Sequence, residues 1–471
     1  MIDPASPERG LFSNRTLNLR GVRAIGYDMD YTLIHYHVDE WERAAFEHAR
    51  IRLRDKGWPV DDLAFDPDAF TLGLTFDLEL GNLVKATRFG YAVRVQHGND
   101  VLTFDQQRRA YDGEIVELGE DRFEFMNTLF ELSRASLWTQ LVAKQDEKPL
   151  PGVHSYRALY REIDEALGRA HVEGALKQQI ADDPERFVDL DPELVRTLQD
   201  QRLAGKELLL ITNSEWWYTQ TMMSWCFDAQ MPEGQTWRDL FDLVIVSAAK
   251  PRFFAEQGPI YRLVDADTGH LEPHFGPLEA GEVYHGGNAH MVERAFGHDP
   301  SQFLYVGDHL FGDVHVTKDL LRWRTALIAR ELEAEVRAAT DFAPDEALLG
   351  RMMRAKTDLE QRHAQLRMVR RRQVVAGQDH VEVDAQIDTT ATEISAIDDQ
   401  IAPLARSATL QGNASWGPLM RAGVDKSLFA RQVEKYADVY TSRVSNFGTA
   451  TPYAYLRAAR GSLPHDEASA R

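Results

Sequence analysis

The chain has 471 residues, 44% of them hydrophobic, and a formal net charge of -21 from 53 Lys+Arg against 74 Asp+Glu. Such a length and apolar content predict two or three domains, each with its own core. The acidic balance excludes nonspecific attraction to nucleic acid or to an anionic membrane, but still allows a local basic pocket for a phosphorylated ligand.

Residues 1–20 carry Asp3, Pro4, Pro7 and Glu8 and no apolar stretch, so no secretory signal is expected. Residues 22–28, VRAIGYD, read as a buried strand ending at Asp28. A helical pattern follows from Glu40 to about Arg54, then short strands at 70–76 and 91–95, and helices over 121–144 and 155–180. A helix over 192–204 stops at Gly205. The apolar runs 207–212 (ELLLIT), 242–247 (DLVIVS) and 303–306 (FLYV) read as further buried strands, and 324–329 as a fifth. The lone cysteine, Cys226, excludes an intrachain disulfide and a cysteine metal cage, which fits a reducing compartment. No apolar run approaches the ~18 residues of a membrane span. The expectation is a soluble, cytoplasmic protein.

Strands alternating with helices predict an α/β class fold, a Rossmann-like core with a mostly parallel sheet. Roughly 180 residues separate the first strand from the second, far more than a crossover needs, which predicts an inserted cap domain. Beyond 345, Met352, Leu359 and Leu366 repeat by sevens, as do Ile387, Ile394 and Ile401, with Gly377 between the runs. That pattern predicts an antiparallel helical hairpin. The expected organisation is a core of 1–36 and 191–345, a cap of 37–190, and a hairpin and tail of 346–471 that packs back on the core.

Four segments carry chemistry, and each follows a predicted strand. Asp28 and Asp30, at i and i+2 beyond the first strand, supply one carboxylate to attack phosphorus and one to move protons. Thr212, Asn213 and Ser214 offer hydroxyl and amide groups to phosphate oxygens. Lys250 offsets the acids and holds a phosphoryl group. Asp308 at the end of FLYV, with Asp313, suits Mg²⁺, which takes carboxylate, phosphate and water oxygens. Singly, each is a common capping turn; together they supply what phosphoryl transfer requires. The Arg370–Arg372 run is read as a solvated helix face, and His35 and His37 as part of the hinge to the insert.

The set DMDYT, ITNS, Lys250-Pro251 and GDHLFGD resembles the signature motifs of the haloacid dehalogenase superfamily. Residues 28–34 (DMDYTLI), 212–219 (TNSEWWYT), 250–254 (KPRFF), 283–288 (VYHGGN), 305–314 (YVGDHLFGDV), 323–335 and 416–440 resemble the cytosolic IMP/GMP-specific 5′-nucleotidase family. The resemblance spans about 18 to 465. It implies Asp28 as nucleophile, Asp30 as general acid and then base, and Thr212 and Lys250 on the phosphoryl group. It implies Mg²⁺ on Asp28, the Asp30 carbonyl and Asp308, with Asp313 in support. It places Asn213 and Ser214 near phosphate or ribose, and Phe125, Asn127, His171 and Lys177 at the purine. It also implies phosphotransfer to a nucleoside beside hydrolysis, and a homo-oligomer, dimer or tetramer. At one point the chain departs: Asp164 stands where the family has an arginine, and Gly168 where it has a second polar contact. Two alternatives follow, a phosphatase for a different phosphate monoester and a non-catalytic scaffold acting through the hairpin.

Overall fold

The structure, a computed structural model, describes residues 6–172 and 174–461. One compact unit runs to Glu333 and resumes at Leu419; Ala334–Pro418 form the second.

The apolar runs 24–27, 207–211, 243–246 and 303–307 are all strands, and every one of their residues from Ala24 to Gly307 is buried except Glu207. They are rich in Leu, Ile, Val and Tyr because helices and loops cover both faces, as parallel sheets require. Each fully buried aliphatic side chain contributes about 1.5–3 kcal/mol. The sheet has ten strands, in the order Phe12–Ser13, Val439–Thr441, Arg324–Ile328, Phe303–Gly307, Ala24–Tyr27, Glu207–Ile211, Leu243–Val246, Val283–Gly286, Ile260–Asp265, His270–Pro273. The strands from Val439–Thr441 through Val283–Gly286 run parallel. Antiparallel strands close both ends. Ala24–Tyr27 lies between Phe303–Gly307 and Glu207–Ile211, so the carboxyl ends that bear Asp28, Thr212 and Asp308 emerge side by side.

Within that sheet Gly26 sits opposite Tyr305, and a Cβ on Gly26 would lie 2.8 Å from the Tyr305 ring. The glycine leaves the ring room to lie flat, which aims its hydroxyl toward the site.

The insert carries a five-stranded antiparallel sheet, ordered Asp100–Val101, Ala92–His97, Asn82–Ala86, Thr75–Asp77, Phe123–Phe125. Helices Val38–Asp55, Leu132–Glu147 and Tyr156–Val172 accompany it. Asp77, fully buried, accepts from Tyr111 Oη at 2.9 Å and from Arg122 Nε and Nη2 at 3.0 and 2.8 Å, so its charge is paired as a buried charge must be. The chain enters and leaves the insert through one antiparallel pair, His35 opposite Asp189 and Tyr36 opposite Val188. His35 lies in this hinge, and burial pushes its pKa down to about 4, which keeps it neutral.

The second unit is a hairpin of two helices, Leu332–Val375 and Val381–Thr409, turning at Gly377, whose φ is 65°. The sequence placed its start at 346 and grouped 346–471 together. The helix begins earlier, and Leu419 onward belongs with the first unit, where it adds the Val439–Thr441 strand. No helix among the described residues is long and apolar enough to cross a membrane.

Candidate active site

Asp28 is the first residue past Ala24–Tyr27, and its N–H still donates to Val306 O at 3.0 Å, so the sheet ladder fixes its backbone. Its Oδ1 accepts from Met29 N–H at 2.7 Å, and its Oδ2 lies 2.7 Å from Lys250 Nζ. Lys250 Nζ also lies 2.9 Å from Asp313 Oδ1 and donates to Tyr305 Oη at 3.1 Å. Tyr305 Oη in turn donates to Ile211 O at 2.9 Å. One buried ammonium therefore ties three strand ends together.

Lys250 reaches this point over a loop that leaves Leu243–Val246 with Ser247 at φ 46° and Ala249 at φ 59°. A left-handed backbone costs a residue with a Cβ roughly 1–2 kcal/mol. The loop is held by Ser247 N–H to Ser214 O at 2.9 Å and Ala248 N–H to Thr212 O at 3.0 Å. Asn213 closes it: its Oδ1 accepts from Lys250 N–H at 2.6 Å and its Nδ2 donates to Lys250 O at 3.2 Å. Asn213 borders the cavity, yet both ends of its amide are spent on the lysine backbone.

Asp30 is oriented from two sides. Tyr36 Oη donates to its Oδ1 at 2.6 Å and Ser214 Oγ to its Oδ2 at 2.7 Å. Burial raises its pKa, against the pull of Lys177, Tyr36 and Ser214. A buried carboxyl with a raised pKa is suited to carry a proton.

Asp308, the first residue past Phe303–Gly307, accepts from Thr128 Oγ1 of the insert at 3.1 Å. Asp313 sits in a wide helical turn, Leu310–His315, and its Oδ2 accepts from His309 N–H at 3.2 Å. His309, neutral because burial lowers its pKa to about 4, accepts from Gly312 N–H through Nδ1 at 2.8 Å. Asp313 packs directly on Gly307, where a Cβ would come within 2.6 Å of the Asp313 Cβ. Gly307→Ala is therefore expected to push Asp313 off Lys250 and lower kcat about 10–100-fold, as misplacement by an ångström does. Steady-state kinetics beside circular dichroism check this.

Asp28, Asp308 and Asp313 bring ligand oxygens within 4.8 Å of one another. Burial pushes the Asp28 carboxyl up to about 6, opposed by Lys250 and reinforced by Asp313. Burial, then the charges of Asp28 and Asp313, hold Asp308 well above the usual carboxylate range. Burial disfavours the Lys250 ammonium, but Asp28 and Asp313 hold its pKa far up. Three acids around one lysine leave excess negative charge, and all the donors are hard oxygens. This donor set fits Mg²⁺.

The cluster floors a cavity of about 450 Å³ bordered by Trp41, Phe130, Glu131, Arg134, Gly168 and Lys177 of the insert. Nine of the sequence-predicted residues line it: Asp28, Asp30, Thr212, Asn213, Ser214, Lys177, Lys250, Asp308 and Asp313. Lys177 Nζ pairs with Glu215 Oε2 at 2.6 Å. Phe125 is a correction. The helix expected over 121–144 starts only at Leu132, and Phe123–Phe125 form a strand instead. That turns Phe125 inward onto Phe311 and Phe429, with ring centroids 5.8 and 6.3 Å away. Phe130, which the sequence analysis did not select, borders the cavity, stacked edge-on against Tyr31 (4.7 Å) and Trp41 (5.2 Å). Asn127 is buried, and its Nδ2 donates to Phe125 O at 3.1 Å. His171 falls in the helix Tyr156–Val172, but its side chain lies outside the described residues. Asp164 accepts from Arg134 Nη2 at 2.7 Å, while Arg134 Nη1 donates to Glu131 Oε1 at 2.8 Å.

A model of the 5′ nucleotidase family matches residues 11–468. A 5′-nucleotidase domain-containing protein of Dictyostelium discoideum is 26% identical over 476 residues, covering 98% of this chain and 76% of that protein. Among solved structures, the archaeal β-phosphoglucomutase of Pyrococcus sp. strain ST 04 is similar over 66% of this chain and 87% of its own, at 11% identity and a TM-score of 0.32. A predicted phosphoglycolate phosphatase of Haemophilus somnus 129pt is similar over 66% of this chain and 86% of its own, at 14% identity and a TM-score of 0.29.

Proposed function

The chain belongs to the 5′ nucleotidase family and is a phosphoric monoester hydrolase, and on that premise we propose that it works in the haloacid dehalogenase manner and hydrolyses purine nucleoside 5′-monophosphates, IMP and GMP, in a Mg²⁺-dependent reaction through an aspartyl-phosphate on Asp28. The observation that carries this reading is Asp28 held 2.7 Å from Lys250 in a cavity that Asp30, Thr212, Asp308 and Asp313 also line.

An Asp28 carboxylate oxygen attacks phosphorus, the bond from phosphorus to the nucleoside 5′ oxygen breaks, and Asp30 gives its proton to that leaving oxygen. Asp30 then takes a proton from water, whose oxygen attacks the aspartyl-phosphate, releasing phosphate and restoring Asp28. Lys250 and the Thr212 hydroxyl hold the phosphoryl oxygens, where charge spreads in the transition state. Ser214 and Tyr36 keep Asp30 aimed. Asp28, Asp308 and Asp313, with the Asp30 carbonyl, would hold Mg²⁺, which when bound offsets the charge of the phosphoryl group. Phe130, with Trp41 packed behind it, offers an apolar contact to a base, and Lys177 a cation at the cavity wall.

A second reading, a different phosphate monoester, has a specific support: Arg134, an insert cation on the cavity wall, is already paired with Glu131 and Asp164, so fewer free donors face a 6-oxopurine. Phosphate release from IMP, GMP, AMP, UMP and an aryl phosphate, with Mg²⁺ and with chelator, separates the two. The expected result is a kcat/KM for IMP and GMP about tenfold or more above UMP, abolished by chelation and restored by Mg²⁺. Hydrolysis of the aryl phosphate alone favours the second reading. Turnover that survives chelation removes the metal, and no turnover on any monoester removes both readings.

A further inference from the structure

Two hydroxyls orient Asp30, and they differ in what stands behind them. Ser214 Oγ, which donates to Oδ2 at 2.7 Å, accepts no hydrogen bond among the described residues. Tyr36 Oη, which donates to Oδ1 at 2.6 Å, lies 3.1 Å from Tyr218 Oη. Tyr218 stands on the helix Trp216–Phe227, and its side chain is fully buried. Tyr36 is buried in the hinge strand, paired with Val188, and its ring packs on Tyr31 and Trp41 at centroid distances of 5.3 and 4.4 Å. Ser214 lines the cavity, whereas the two tyrosines do not.

A phenol has one proton to give and lone pairs with which to accept. Tyr36 gives its proton to Asp30, so the contact between the tyrosines is Tyr218 donating to Tyr36. The reverse order, Asp30 to Tyr36 to Tyr218, would strand the Tyr218 proton. Tyr218 Oη has no other hydrogen-bond partner among the described residues. Lys177, whose Nζ lies 5.2 Å from the Tyr218 ring centre, has no lone pair to accept with. Leaving a buried donor unpaired costs its full desolvation. The chain of hydroxyls therefore has one favoured direction, and it ends on Oδ1 as an acceptor. Oδ2 is under no such constraint, because the Ser214 hydroxyl can turn as Oδ2 gains or loses a proton.

We propose that Tyr218 and Tyr36 are positioning residues that keep Oδ1 of Asp30 an acceptor and so confine the transferable proton to Oδ2, on the cavity side. The proposal rests on the reading of Asp30 as acid and then base. When the bond from phosphorus to the ester oxygen breaks, the electron pair stays on that oxygen, which takes the Oδ2 proton and leaves Asp30 a carboxylate. Oδ2 then takes a proton from the attacking water. Without Tyr218 the Tyr36 hydroxyl is free to turn, and Oδ1 can hold the proton against the wall, away from the leaving oxygen.

The test is a double-mutant cycle on the full chain with Mg²⁺: wild type, Tyr218→Phe, Tyr36→Phe and the double variant. It is read as kcat/KM on two esters. The nucleoside of IMP leaves as an alkoxide that needs a proton, whereas 4-nitrophenyl phosphate gives a stable phenolate that does not. Where the wild type accepts aryl esters alone, phenyl phosphate replaces IMP. On IMP, Tyr218→Phe is expected to lower kcat/KM about tenfold and Tyr36→Phe about 10–100-fold, part of what a general acid contributes. The double variant is expected within about twofold of Tyr36→Phe, because Tyr218 acts only through Tyr36. On 4-nitrophenyl phosphate, the Tyr218→Phe loss is expected to be about twofold or less, since no proton is needed there. Helicity and melting show that the variants are folded, and Tyr218→Met, which also lacks the hydroxyl, stands in where Tyr218→Phe does not fold. Losses that multiply in the double variant overturn the proposal. So do equal losses on both esters, which mark a packing effect, and a Tyr218→Phe variant as fast as the wild type on IMP. A wild type that releases phosphate from no monoester is a different failure: it removes the hydrolase mechanism itself, and this proposal with it.

Discussion

Asp28→Asn leaves a folded protein that releases phosphate about 10⁴-fold more slowly or worse, the scale of loss when a nucleophile is removed. The amide keeps the shape of the carboxyl, and its oxygen still accepts from Met29 N–H, where Asp28 now accepts at 2.7 Å. Lys250 keeps Asp313 and Tyr305 as partners, at 2.9 and 3.1 Å. What disappears is the charge that attacks phosphorus. The fold has no reason to suffer, because that charge is a burden to it. The folded Asp28 carboxyl titrates at about 6, above the unfolded value of about 3.9. The folded state therefore binds more protons through that window, and the ionised form costs stability as pH rises through it. At neutral pH the variant should melt at or above the wild-type temperature. Phosphate release, thermal melting, and acid-quenched labelling of the wild type with a phosphate-labelled substrate check the three parts. A variant within tenfold of wild-type turnover, or one that still traps label, removes Asp28 from the role.

The chemistry was legible because each of its residues follows a run that can only be a buried strand. ELLLI, LVIV and FLYVG have no polar face to show water, so they had to lie inside a parallel sheet. The residue after each run then had to stand at the sheet's carboxyl edge. The outer strands were not legible for the opposite reason. Phe12–Ser13 and Val439–Thr441 are two and three residues long, and they pair across more than 400 positions, Phe12 opposite Tyr440. No local periodicity encodes such a contact. The far wall of the cavity failed on register. RFEFMNTLF fits a helix by its apolar spacing, but Phe123 and Phe125 are buried and Glu124 exposed, the alternation of a strand. Nine residues of strand and turn before Leu132, 123–131, were enough to move the cavity-facing aromatic from Phe125 to Phe130. Asn213 shows a different limit. Its type and position after a strand suited a ligand contact, and the structure spends its amide on a backbone 37 residues away, which only the folded loop can reveal.

Lys250→Ala should be the most destabilising single change at the site and should also lower turnover by about 10²–10³-fold. The Lys250 side chain is 4% exposed and is the cation common to Asp28 and Asp313. Removing one partner from a buried charge pair costs about 3–5 kcal/mol, because the remaining charges are left without compensation. Here the charges left behind are carboxylates that already repel one another, Asp308 being raised by both Asp28 and Asp313. The loss should therefore depend on pH in a definite direction. Without Lys250 the folded carboxyl pKa values rise further, since Lys250 is what lowers them now. Groups raised in the folded state weaken it as pH increases above their unfolded values near 4 and spare it below. The gap between variant and wild type in urea unfolding should thus be widest above pH 7 and shrink toward pH 5. A divalent cation bound by the same three acids would take over part of the lysine's electrostatic duty. Millimolar Mg²⁺ should then recover stability in the variant more than in the wild type, while turnover stays low because the phosphoryl group has lost its ammonium. A variant that unfolds like the wild type in chelator at pH 8 would mean that Lys250 does not hold the cluster together. A variant that Mg²⁺ leaves unchanged would mean that the three carboxylates do not form a cation site.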